Sequence, residues 1–336
     1  MKKILLICFL GLTSLLQAQN DFDVILAAGV DDAERFANDY LAPGTNGLMY
    51  SMNNGWFNTA DVKPFLGFEI SVIGNGALIK DSHREFTMNV ADYENITFSD
   101  GSASKMVATA LGENDTPIDV VLTYDDPIFG DQTVEVTLPN GIGDASKFIP
   151  SAFIQAAVGL VKGTELKVRF VPEVTFDEVT TQLYGVGLQH EFTKWLPADK
   201  LLPVAISGLV AYTSLNGSYD FTASSGIEGE NQRLENNTST WLFQGIVSTK
   251  LPVINFYGAL GYISGTSESD VLGTYRVTDG NLVTEDIVDP FSVSSEVGGV
   301  RATLGAKLKL AFFRFNADYT FAEFDSFSVG VNFGFR

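Results

Sequence analysis

Cysteine is nearly missing from this chain of 336 residues: there is one, Cys8, inside the first apolar segment. Beyond it nothing can form a disulfide, a thiol nucleophile or a thiolate metal site. Histidine is almost as scarce, with His83 and His190 alone. Charged residues make up 18% of the chain, against roughly 25% in ordinary soluble proteins. Positive charge is the scarcer sign, 21 Lys and Arg against 41 Asp and Glu, for a net of −20. That balance argues against nucleic acid as a partner, since phosphate binding needs a basic surface. Past the N-terminus no stretch reaches the ~20 apolar residues of a membrane helix. The nearest, 201–215, is interrupted by Pro203, Ser207 and Gly208.

Apolar residues are nonetheless 45% of the total, and Gly (32), Phe (26) and Tyr (11) are abundant, a composition of sheets rather than helices. Residues 1–19 have the plan of a secretory signal peptide. Lys2 and Lys3 form a basic start, 4–16 an apolar run, and Leu16-Gln-Ala-Gln19 a small-residue exit. The expectation is an exported chain that sheds Cys8 with its signal.

From about residue 150 onward apolar and small or polar residues alternate. Phe327, Val329, Val331, Phe333 and Phe335 interleave with Ser328, Gly330, Asn332 and Gly334; Phe313, Phe315, Ala317, Tyr319 and Phe321 interleave with Arg314, Asn316, Asp318 and Thr320. Period two places each set on its own face of a strand. Further strands are expected at 303–310, 253–264, 238–250, 203–214, 181–192, 165–175 and 153–161, with an early one within 64–79. Short connections (162–163, 194–202, 250–252, 311–312) fall on one side, and 176–180, 215–237, 265–296 and 322–325 on the other. This sidedness, with an aromatic last strand, is the layout of an all-β transmembrane antiparallel β-barrel of the bacterial outer membrane. A soluble β-sandwich accounts for the alternation but not for the sidedness. The expected count is ten to fourteen strands. The expected organisation is a signal peptide at 1–19, an N-terminal helical and hatch-like segment at 20–62, and a barrel at 63–336 with a polar insertion at about 80–150. Within the N-terminal part, 21–42 reads as an amphipathic helix ended by Pro43-Gly44.

Candidate chemistry is sparse. Asp81-Ser82-His83-Arg84-Glu85 places a histidine beside a hydroxyl and carboxylates, but adjacent loop residues do not hold a base and nucleophile in hydrogen-bond geometry. His190 falls on the apolar parity of its strand near the short-turn end, where a polar tip sits among headgroups. Gly74-Asn-Gly76 and Gly141-Ile-Gly143 lack the rest of a phosphate-binding signature. Asp125-Asp126 with Asp131 departs from the calcium-loop spacing. No catalytic residue, metal site or cofactor is expected. With the apolar parity facing lipid, the lumen receives Lys167, Arg169, Arg301, Lys307, Lys309 and Arg314, opposed by Glu69, Glu173, Glu191 and Asp318. Two readings remain open for these bases: attraction of an anionic head, or ion pairs that fill a narrow barrel. Trp195, Tyr212, Trp241, Tyr257, Tyr262 and Tyr319 are expected in the aromatic girdles, and the acidic outer loops suit cation bridging to lipopolysaccharide.

The segment Asn46-Gly-Leu-Met-Tyr-Ser-Met-Asn-Asn-Gly-Trp-Phe-Asn-Thr-Ala60, followed by a strand in 64–79, resembles the hatch of long-chain fatty-acid transporter-type barrels. Asn58-Thr59-Ala60 stands where that family has Asn-Pro-Ala. The Gln-Ala-Gln19 signal end, Gly55-Trp-Phe-Asn-Thr-Ala60 and Lys194-Trp-Leu-Pro197 are similar to a Bacteroidota outer-membrane β-barrel family. The resemblance implies a passive channel for a small hydrophobic or amphipathic molecule such as a fatty acid. Met49, Met52, Trp56 and Phe57 would then line a greasy site, and Lys167, Arg169, Lys307, Lys309 and Arg314 would receive an anionic head. The alternative is a non-transporting barrel that scaffolds a surface or secretion complex, with outer-membrane lipid and lipopolysaccharide as its surroundings in either case.

Overall fold

The structure is a computed structural model that describes residues 25–26, 29–126, 130–176, 178–197, 202–220, 228–279 and 283–335. The expected signal peptide at 1–19 lies outside these residues. Among the described residues one long helix, α1 (Val30–Met52), precedes sixteen strands. They are β1 (Phe68–Leu78), β2 (Glu85–Asn89), β3 (Ile96–Phe98), β4 (Ser104–Ala108), β5 (Asp119–Asp126), β6 (Gly130–Thr137), β7 (Phe148–Gly159) and β8 (Thr164–Phe176). The chain continues with β9 (Val179–Glu191), β10 (Val204–Asp220), β11 (Gly229–Thr249), β12 (Ile254–Asp279), β13 (Val283–Val288), β14 (Phe291–Leu310), β15 (Phe313–Phe321) and β16 (Ser326–Phe335).

Ten of these strands close into an antiparallel barrel, in the order β11-β10-β9-β8-β7-β1-β16-β15-β14-β12, with β12 returning to β11. The seam between first and last strands sets Ile70 opposite Phe333, and the β11–β12 pair sets Gly245 opposite Leu260. Closure leaves the wall without a free edge, which a lipid environment demands of a sheet. Period two then sorts the side chains. In β8, Lys167 and Arg169 are buried inside, while Val168 (47%) and Phe170 (50%) are exposed outside. In β1, Glu69 and Ser71 point in while Phe68, Ile70 and Val72 are exposed. A continuous apolar outer wall is an association hazard in water and the natural surface in a bilayer. The protein is therefore an outer-membrane-type β-barrel.

The short connections collect at the end where β16 finishes and β1 begins. The opposite end carries the insertion between β1 and β7, folded as the β2-β4 ladder and the β3-β5-β6 sheet. The insertion caps the barrel. Phe98, Val107, Val120 and Leu122 pack with Phe36, Ala37 and Tyr40 from the front half of α1 in one apolar core. Asp32 accepts the backbone N–H groups of Glu94 (3.0 Å) and Asn95 (2.7 Å), tying the helix start to the cap.

Four local expectations are corrected. First, α1 does not end at Pro43-Gly44 but continues to Met52 with Pro43 inside it. A proline costs an interior helix ~3 kcal/mol. Here the barrel encloses the helix, and Thr45 bonds to the Ala42 carbonyl (3.1 Å) and to Ser295 (2.7 Å). Second, the described residues of 215–237 and 265–296 are largely strand: β11 and β12 run on past the apolar band as a paired ladder, with Asn236 bonded to Ser267 and Ser269 at 2.8 Å each. Third, Glu173 is exposed rather than luminal, because a bulge between Val171 and Val174 breaks the parity of β8. Fourth, Tyr257 leaves the girdle for the interior, where it donates to Asp318 at 2.8 Å.

Candidate functional site

The lumen is occupied by the chain's own residues 44–63, which run from the capped end to the short-turn end, where 64–67 lead into β1. At the top of this plug, Ser51 Oγ donates to the Ile149 carbonyl (3.0 Å) and meets Ser151 Oγ at 2.9 Å. Tyr50 packs its ring on Phe324, 5.6 Å between centroids. Met49, Met52, Trp56 and Phe57 are buried in a single cluster with Ile73, Phe153, Leu183, Leu209, Leu242 and Ile246 of the wall. The structure thus brings all four predicted apolar residues together, as packed plug.

Arg169 grips the plug at its narrowest turn. Its guanidinium donates to the carbonyls of Met52 (2.7 Å) and Asn54 (3.1 Å) and to Gln155 Oε1 (2.9 Å). The same group lies 3.6 Å from the Trp56 ring centre and 3.9 Å from that of Phe153. Such a sandwich pairs a cation with two ring faces in a dry setting. Arg301 donates to Asn54 Oδ1 from the opposite wall. Trp56 fits because β9 presents Gly185 and Gly187 behind it. A Cβ on Gly187 would stand 2.9 Å from Trp56 Cζ3, and one on Gly185 would stand 2.8 Å from Arg169 Cγ. Only glycine leaves that slot open.

Below Trp56 the plug is held by charge. Lys63 bridges Glu69 (3.3 Å) and Glu165 (3.2 Å), Lys167 meets Glu165 at 2.6 Å, and Arg314 pairs with Glu69. Asn58 donates to Glu69 (3.0 Å) and accepts from Lys307 (2.6 Å). Near the exit, the Val62 N–H donates to Glu191 at 2.9 Å, and Lys194 reaches Asp61 at 3.3 Å. Lys309 stands apart on the rim, donating to the Leu251 carbonyl at 3.4 Å. Of the predicted bases, then, Lys167, Lys307 and Arg314 join one ion-pair network, Arg169 holds the plug backbone, and Lys309 does neither.

Sequence reasoning missed Lys63, Glu165, Asn58 and Gln155. Glu165 and Gln155 carried a signal, since each sits on the inward parity of its strand. Lys63 and Asn58 carried none, because the plug has no period. On the β9–β11 wall, Trp56 Nε1, Gln189 Oε1, Thr213 Oγ1 and Gln244 Nε2 are buried without a hydrogen-bond partner among the described residues. Away from the lumen, His83 sits in the turn leading into the cap and stacks on Phe324 at 3.8 Å. Its Nδ1 accepts the Lys80 N–H at 3.2 Å. Burial first, and the nearby Lys80 charge second, lower its pKa. Among the described residues no group of three His, Cys, Asp or Glu side chains is placed to hold a metal ion.

Solved structures similar to this chain are outer-membrane proteins. Ail, the attachment invasion locus protein of Yersinia pestis, is 7% identical over 81% of this chain and 100% of its own, with a TM-score of 0.27. The translocator domain of the autotransporter NalP from Neisseria meningitidis is 10% identical over 82% and 90% of the two chains, TM-score 0.29. The outer membrane transporter YddB from Escherichia coli is 8% identical over 78% of this chain and 40% of its own, TM-score 0.31. These likenesses are loose, and the barrel rests on the strand pairing and apolar wall described above. No curated protein sequence matches the chain. A family model, that of a family of unknown function (DUF6588), matches residues 1–335.

Proposed function

The chain belongs to the DUF6588 family, and from its filled lumen we propose that it is a non-transporting, non-catalytic outer-membrane barrel that holds a folded cap at the cell surface. One observation carries this reading. The residues that a channel would use for its ligand are spent on the plug: Trp56 is fully buried under Arg169, and Lys307 is bonded to Asn58. The plug also joins cap to wall, since α1 contributes its front half to the cap core and its last turn to the luminal core. A barrel so built anchors a surface, and its work lies in the cap and in the outer reach of the β11–β12 ladder. Reconstitution in planar bilayers tests this: no conductance steps are expected. Stable open channels in the wild-type protein would end the proposal.

A second reading, passage of a small hydrophobic or amphipathic molecule, requires the plug to shift. It is favoured by the four partnerless polar atoms between Trp56 and the β9–β11 wall, because unsatisfied groups there lower the cost of admitting water or a polar head. A disulfide lock separates the two. Ser51→Cys with Ser151→Cys joins plug to wall where the hydroxyls are already 2.9 Å apart. Uptake of a labelled fatty acid that stops on oxidation and returns on reduction would establish passage; uptake indifferent to the lock would exclude it.

A further inference from the structure

The outside of the barrel carries an open groove of about 570 Å³ across β9–β12, within the 300–1,000 Å³ range of small-molecule sites. Gly208 and Gly245 are directly opposite each other in the β10–β11 register and form part of its floor. Phe192, Val210, Phe243 and Tyr262 rise around them. A Cβ on Gly208 would meet the Phe192 ring at 3.2 Å, whereas one on Gly245 would meet nothing nearer than 3.9 Å. The depression is therefore shaped by an aromatic ring lying flat on one glycine beside a second that is bare.

The groove ends at a polar cluster near the short-turn rim. His190 lines it and lies 5.4 Å from Phe192, ring centre to ring centre. The indole N–H of Trp195 donates to His190 Nε2 at 2.8 Å, and Thr164 Oγ1 meets His190 Nδ1 at 2.9 Å. Lys162, held in a left-handed turn (φ 55°), places its ammonium 5.9 Å from the Trp195 ring centre. Trp195 is itself 62% exposed, as an interfacial tryptophan is. An apolar trough leading to an indole N–H, an imidazole and an ammonium has the chemistry of one amphiphile seen from the side.

We propose that this groove is a binding site for a glycerophospholipid. One acyl chain lies along the Phe192 ring and over the bare Gly245, and the phosphodiester sits at the Lys162 ammonium beside the Trp195 ring. The occupant follows from two features already described. The trough is continuous with the lipid-facing wall, so what fills it comes from the bilayer, and its polar end is cationic, which matches a phosphate. A second copy of this chain is the competing occupant and becomes an outcome of the test.

The test is native mass spectrometry of the full-length protein released from mild detergent after reconstitution in vesicles of phosphatidylethanolamine with phosphatidylglycerol. One retained phospholipid per barrel is expected. Gly245→Phe fills the trough without meeting the wall and should lower the lipid-bound fraction by about tenfold or more, because it displaces several buried methylenes. Lys162→Gln should keep the trough and lose the preference for the anionic lipid. Heat-modifiable mobility on gels verifies that both variants remain folded barrels. Retention of the same lipid by folded Gly245→Phe overturns the proposal. So does a wild-type dimer that Gly245→Phe converts to monomer, and so does a statistical ladder of lipids identical in all three proteins.

Discussion

Replacing Arg169 by methionine isolates what one side chain contributes to keeping the lumen shut. Methionine keeps the length and fills the space between Trp56 and Phe153, but loses two hydrogen bonds to plug carbonyls and both ring contacts. Charge-assisted hydrogen bonds contribute ~1.5–3 kcal/mol each, and a desolvated cation over an aromatic face about 2 kcal/mol. Against this, a guanidinium with no carboxylate beside it costs several kcal/mol to take out of water when the plug closes. The balance leaves a loosening of about 3 kcal/mol, which multiplies the open population of the plug on the order of 150-fold. Amide exchange reads that ratio directly. The amides of Asn53 and Asn54, bonded to Tyr50 (3.3 Å) and Ser51 (3.2 Å), should lose about two decades of protection. Those of β7 and β8 should keep theirs. Unchanged protection at 53–57 would refute the clamp. Equal loss in plug and wall would refute it differently, showing that Arg169 holds the barrel rather than its contents.

Three further perturbations probe other parts of the same design. Gly187→Val closes the slot for Trp56 and should cost ~1–3 kcal/mol as an overpacked site; near-ultraviolet circular dichroism should show a displaced indole, and an unaltered spectrum would contradict the fit. Glu69→Leu removes the carboxylate shared by Lys63, Lys307 and Arg314, leaving buried cations at a cost of about 3–5 kcal/mol. The unfolding temperature in detergent should fall by several degrees, and a midpoint equal to that of the wild type would show the network to be redundant. Acidification tests His83. Its pKa is lowered in the folded protein, so the unfolded turn binds more protons once pH drops below the ordinary 6.5. The stability of the turn at 81–84 is then complete at pH 7.5 and declines as pH falls through 6.5 toward the lowered value. Proteolysis there should speed up at pH 5.5, and His83→Phe, which keeps the stack on Phe324, should abolish the pH effect.

How much of this was legible beforehand depends on which force shaped each residue. Burial against lipid imposes period two, so Val168 and Phe170 could be separated from Lys167 and Arg169 by parity alone, and the short connections do collect at one end of the barrel. In the outer reaches of β11 and β12 the inward-facing residues are mostly small and polar, as Asn236, Thr238, Ser267 and Ser269 are, so although buried they give no apolar period and the strands read as loops. Where the barrel itself supplies the surroundings, local signals mislead. Pro43 reads as a helix end, yet an enclosing wall sustains the helix beyond it. Glu173 reads as luminal until a bulge shifts it. The gathering of Met49, Met52, Trp56 and Phe57 was suggested by the resemblance to a hatch. That Arg169 would pin them was not, because Arg169 and Asn54 are brought together only when the barrel closes.

The plug also constrains how the molecule can be made. Residues 44–63 precede β1 and lie inside a wall whose closing seam pairs Phe68 with Phe335, the beginning of the barrel with its end. A ring that closes around the segment avoids passing a helix through a finished wall. In such an order the N-terminal segment serves as a mandrel, with buried carboxylate partners on two separate strands, Glu69 on β1 and Glu165 on β8. Joining residues so far apart in sequence is the slowest step a topology can demand. Lys63, paired with both carboxylates, ties β1 and β8 to the segment that the wall encloses.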